Sequence, residues 1–199
     1  MYKVITDEKS DDGRETPLGV FGRILETHEE MAPLKELLED FECRLAILTK
    51  EGELKLRGQL VAGLAALPDA QGAMKPLFAW MLTEILDYEP DWLIIISKDW
   101  WDEASDLHRE ALVFHEAMHC GQQRDKHGEA RFDMLGQPVV GILPHDVEEF
   151  HSVVRRYGAW TPDLVEFQEA LTLGERSRQK GRDGSLSVSG AKPALKLVG

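Results

Sequence analysis

Within the stretch ALVFHEAMHC, residues 111–120, His115, Glu116 and His119 combine residue types and a spacing that can do chemistry. On a helix, residues i and i+4 lie one above the other, so both imidazoles can reach one ion bonded about 2.0–2.1 Å from each nitrogen. Glu116 is turned roughly 100° from His115 and can address a water on that ion without ligating it. Zinc lowers the pKa of its bound water towards about 7, and a carboxylate can take the proton as the nucleophile forms. Random placement of the chain's histidines and glutamates would yield roughly 0.03 occurrences of this pattern, so context must support it.

A catalytic zinc usually takes three protein ligands and keeps a fourth position for water. The nearest downstream acid, Asp125, stands where one branch of such sites carries a third histidine, and an aspartate variant is one option. His127 falls out of phase and reads as a loop residue. Cys120 directly follows the second histidine, but adjacent helical residues point about 100° apart, which argues against it as a ligand. The stronger source is LPHDVEEF, residues 143–150, where His145 and Glu149 are four apart and able to approach from one side. Spacing alone leaves the choice between His145 and Glu149 open.

Elements must position these groups. Residues 1–16 carry charge without apolar periodicity and read as a flexible N-terminal arm. A first helix is expected over about 27–41, with Met31, Leu34, Leu38 and Phe41 on one face. RLAILTK and ELKLRGQLVAG read as two strands joined by a tight turn at Glu51-Gly52. A helix is expected at about 76–87, and DWLIIIS, residues 91–97, has the makings of a well-buried strand. The motif helix should run from an Asp99 N-cap to a Gly121 stop, with Ala104, Leu107, Ala111, Phe114 and Met118 as its apolar stripe. Residues 122–142 read as a loop with a short strand at PVVGIL. A last clear helix should start at Pro144 and end at Gly158, burying Val147, Phe150, Val154 and Tyr157, and a weaker helical segment follows Pro162.

The chain has 199 residues, 43% of them hydrophobic and 30% charged, as expected of one soluble domain. The polar, acidic start MYKVITDEKSDDGRE is unlike a secretory signal, and no apolar run approaches the roughly 20 residues of a membrane span. A cytoplasmic protein with reduced thiols at Cys43 and Cys120 is therefore expected. Of the net charge of −13, residues 176–199 contribute +5, leaving −18 on the remainder. The body should repel nucleic acid and anionic membranes, and only the basic tail, residues 175–199, could attract nucleic acid. That tail is Ser-, Gly- and Lys/Arg-rich and reads as disordered. A domain over 17–174 lies between arm and tail.

FHEAMHC, HDVEEF and VVRRYGAW, in that order and at these separations, resemble the phage metallopeptidase family, a group defined largely by prediction. The resemblance covers about residues 20–160. It implies a minimal zincin-like α+β fold, a small mixed sheet packed against the HExxH helix and a C-terminal helix, with Zn2+ as cofactor and the host cytoplasm as location. It favours His145 as third ligand with His115 and His119, and Glu116 as general base. More loosely, the chain is similar to minimal zincins that act on DNA-bound proteins.

The leading expectation is a zinc-dependent peptidase acting on a protein or peptide. One alternative is a catalytically silent metal-binding protein of the same fold that engages a host or viral protein through its acidic surface. Another is a DNA-associated protease recruited by the tail.

Overall fold

The computed structural model describes residues 1–70, 72, 74–147 and 151–182. They fall into two compact units, Met1–Leu143 and a second beginning at Pro144. In chain order the first opens with β1 (Tyr2–Val4), α1 (Pro17–Thr27), a 3-10 turn (Glu29–Met31), α2 (Ala32–Glu39) and β2 (Leu45–Lys50). It continues with β3 (Lys55–Leu56), β4 (Gln59–Leu60), β5 (Gly63–Ala66), α3 (Met74–Leu86) and β6 (Trp92–Ser97). Then come α4 (Lys98–Glu103), α5 (Asp106–Met118), β7 (Cys120–Gln122) and β8 (Val140–Ile142). The fold is α+β.

Its centre is a mixed sheet in the order β1-β2-β6-β5, with β2 and β6 parallel and both edge strands antiparallel to their neighbours. Side chains alternate across a strand, and β6 shows why DWLIIIS needed two covers. Trp92, Ile94 and Ile96 enter the main core with Ile47, Ile24, Met31, Leu112 and Val113. Leu93 joins a second cluster with Ala46, Leu82 and Leu86 beneath α3. The β6 strand is thus buried on both faces, as expected.

Several local expectations change. Residues 2–4 of the expected arm form an edge strand on β2. Helix α1 was not anticipated; Thr16 caps it, accepting from the Gly19 N–H, and Pro17 fills its first position. The expected helix over 27–41 shortens to the 3-10 turn and α2. No hairpin joins β2 to the strand after it. The tight turn lies instead at Arg57-Gly58, both with positive φ, between β3 and β4.

The motif helix is also two helices. Ala104 adopts an extended ψ of 147°, and Ser105 recaps the chain by accepting from His108 N–H. Ser97, not Asp99, caps the first of them. This break resets the helical phase, so the expected stripe fails: Leu107 is 59% and Met118 43% exposed, while Leu112, Val113, Glu116 and Ala117 are buried. Gly121 is not a helix stop but part of β7, which pairs with β8.

In the second unit, residues 144–147 are not helical, so His145 sits in no helix's first turn. Helix α6 covers His151–Tyr157 and α7 covers Pro162–Arg182. The expected buried face does not form: Tyr157 is 66% exposed and Val154 36%. Phe150 lies outside the described residues. Residues 175–182 of the expected disordered tail belong to α7, and the rest of that tail, 183–199, is outside the described residues. Among the described residues, no helix is long and apolar enough to cross a membrane.

Candidate metal centre

His115 lies in the last turn of α5 and His119 is its C-cap. The i, i+4 relation brings their rings together edge to face, centroids 4.9 Å apart and planes at 86°. The two Nε2 atoms face each other at 3.3 Å. Two nitrogens bonded about 2.0–2.1 Å from one tetrahedral ion stand about 3.3–3.4 Å apart, so this separation fits a shared ion.

The chain then doubles back. Gly121 in β7 pairs with Gly141 in β8, and a Cβ on Gly121 would come within 2.5 Å of the Leu143 side chain. A larger residue there would displace the Leu143 side chain. Leu143 bonds His119 twice: the Leu143 N–H donates to the His119 carbonyl at 2.8 Å, and His119 Nδ1 lies 2.7 Å from the Leu143 carbonyl oxygen. A carbonyl oxygen can only accept, so Nδ1 carries the proton and the Nε2 lone pair faces His115. Metal-binding histidines are commonly oriented this way by a second partner. The buried Trp92 ring braces the same segment, donating from Nε1 to the Gly141 carbonyl at 2.9 Å.

Two residues past Leu143 comes His145. One ring nitrogen from each of His115, His119 and His145 lies within 4.8 Å of the others, the one such metal-binding group among the described residues. His119 is buried and its two companions half-buried. The set of three imidazoles suits zinc, and also copper, iron or nickel.

Of the other candidates, Asp125 is not brought in. Its Oδ1 accepts from the backbone N–H groups of His127 and Glu129, at 2.7 and 3.0 Å, and holds an exposed turn. Glu149 lies outside the described residues. Cys120 points away, its thiol donating to the Glu116 carbonyl at 3.6 Å, and burial with the nearby Glu116 carboxylate pushes it far above the usual thiol range. The Cys43 thiol is pushed up to about 11, by burial first and Asp91 second.

Glu116 points into the protein and is 3% exposed. Burial disfavours its charged form and raises its pKa to about 7, while a hydrogen bond from the Ala65 backbone N–H works in the opposite direction. It lies against edge strand β5, so closely that a Cβ on Gly63 would stand 3.0 Å from Oε1 and 3.2 Å from Cγ. Nothing in the sequence pattern gave Gly63, Ala65, Leu143 or Trp92 a part in the site. VAGLAA marks only a small-residue strand, and nothing local says what it will face.

An α+β domain with three convergent imidazoles beside a buried carboxylate fits a metal-dependent peptidase. The family model described as "Putative phage metallopeptidase" matches residues 24–171, and the chain belongs to that family. No curated protein matches the chain, and no solved structure does.

Proposed function

We propose that this chain is a zinc-dependent peptidase in which His115, His119 and His145 hold the ion and Glu116 is the general base. The convergence of the three ring nitrogens carries this reading. When bound, zinc supplies Lewis-acid chemistry and lowers the pKa of a water towards about 7. Leu143 keeps the His119 Nδ1 proton on the far side of the ring, leaving Nε2 as the ligand atom. The Glu116 carboxylate takes the proton of the attacking water and returns it to the amine nitrogen as the C–N bond breaks. Burial raises its pKa in the metal-free chain, and the charge of a bound zinc would favour the carboxylate form that accepts the proton. The substrate is a polypeptide, and the host cytoplasm is the compartment proposed from the family.

The test is hydrolysis of an unfolded protein by the zinc-loaded chain and by Glu116→Gln. Cleavage by the wild type and its loss in the variant are expected. A chain that holds no stoichiometric zinc would refute the reading, and equal cleavage by the variant would refute the role of Glu116.

A further inference from the structure

We infer that Gly63 is a positioning residue for Glu116, leaving room for its carboxylate against the outward-facing backbone of strand β5. This inference deepens the peptidase reading and rests on it. Strand β5 ends the sheet, pairing with β6 on one side only among the described residues. Its register pairs Leu64 with Ile95 and Ala65 with Ile94, and the Ala62 carbonyl accepts from the Ser97 N–H at 2.7 Å. In an antiparallel pair, successive residues alternate in which side their backbone groups address. Ala62 and Leu64 therefore address β6, while Gly63 and Ala65 turn their backbone groups outwards. The outward Ala65 N–H is also the backbone group that opposes the effect of burial on the Glu116 carboxyl.

The Glu116 side chain lies across Gly63. Any larger residue would put a Cβ 3.0 Å from Oε1, 3.2 Å from Cγ and 3.1 Å from the Ile96 Cδ1. Contacts this tight are uncommon for side-chain carbons, so a neighbour must give by a few tenths of an ångström. The Ile96 side chain ends in a rotatable methyl and can yield. Glu116 is fixed at its other end by helix α5, one residue from His115, so its carboxylate is the group displaced. The missing side chain at Gly63 thus sets where the carboxylate stands relative to the imidazoles. Backbone conformation does not ask for glycine at position 63, since its φ lies outside the left-handed range.

The test compares Gly63→Ala, Gly63→Ala/Glu116→Asp and Glu116→Ala with wild type. The first readout needs no activity: the amide resonance of Ala65 in the metal-free protein. In Gly63→Ala it should move towards its position in Glu116→Ala, and in the double variant, whose shorter aspartate draws the carboxylate back from β5, it should move at least as far. The second readout is kinetic, on the zinc-loaded protein with an unfolded protein substrate. Gly63→Ala should lose roughly 5-fold in kcat with little change in KM or zinc content, since about 1 Å of misplacement costs about 100-fold and the displacement here is a few tenths of an ångström, and the double variant should regain none of it. An Ala65 amide unmoved by Gly63→Ala overturns the inference, as does full kcat in a cleaving Gly63→Ala. If the wild type cleaves nothing, the peptidase reading fails, while the amide still decides whether Gly63 places Glu116.

Discussion

His119 Nδ1 and the Leu143 carbonyl oxygen meet at 2.7 Å across 24 residues of chain. This contact joins the end of the motif helix to the strand leading into His145. Gly121 lies beside it, where a Cβ would strike the Leu143 side chain. Gly121→Ala should therefore displace that side chain and loosen the hold of Leu143 on the His119 ring. Loss of such an orienting partner costs about 10- to 100-fold in metal affinity. Chelator competition on the folded variant checks this, and affinity equal to wild type would show that Leu143 does not orient His119.

Trp92 supports the same segment from below. Trp92→Phe removes the Nε1–H and leaves the Gly141 carbonyl without that donor. An unsatisfied buried group costs about 1–3 kcal/mol, with a smaller loss for the lost ring volume. Denaturant unfolding measures it. A variant within about 0.5 kcal/mol of wild type would mean that the bond contributes nothing to stability.

Glu116 makes the metal-free protein sensitive to pH. Its folded pKa is about 7 against an ordinary value of 4.5, so between those limits the folded state holds more protons than the unfolded one. Stability contributed by this group is then lost as pH rises from about 4.5 to about 7, in total about 3 kcal/mol. Glu116→Gln has no charge to bury and should lack that component. Unfolding of both metal-free proteins at pH 5 and pH 8 tests this, and the wild type should lose more stability than the variant. Equal losses would place the carboxylate in a wetter setting.

What the sequence made legible was what depends on local spacing. His115, Glu116 and His119 share a helix because 3.6 residues per turn put them there, and β6 announced its double burial through an unbroken apolar run. His145 comes close to the pair but not from the expected helix: a non-helical segment after β8 carries it. The break at Ala104–Ser105 carries no glycine or proline, so the stripe of the motif helix was read out of phase. Helix α1 had a signal, Thr16 followed by Pro17, hidden beside a charged segment. The contacts of Glu116 with Gly63 and Ala65 join residues more than 50 positions apart. Such pairing follows from the order of strands in the sheet, which no local pattern encodes.

The central claim is that the three imidazoles form one metal site, and zinc content per folded chain tests it most directly. Protein stripped with a chelator, reloaded with zinc and dialysed should retain one ion per chain. His119→Ala and His145→Ala should each retain far less while remaining folded. A wild type that retains no zinc, or a His145→Ala variant that holds it as tightly as wild type, would contradict the account.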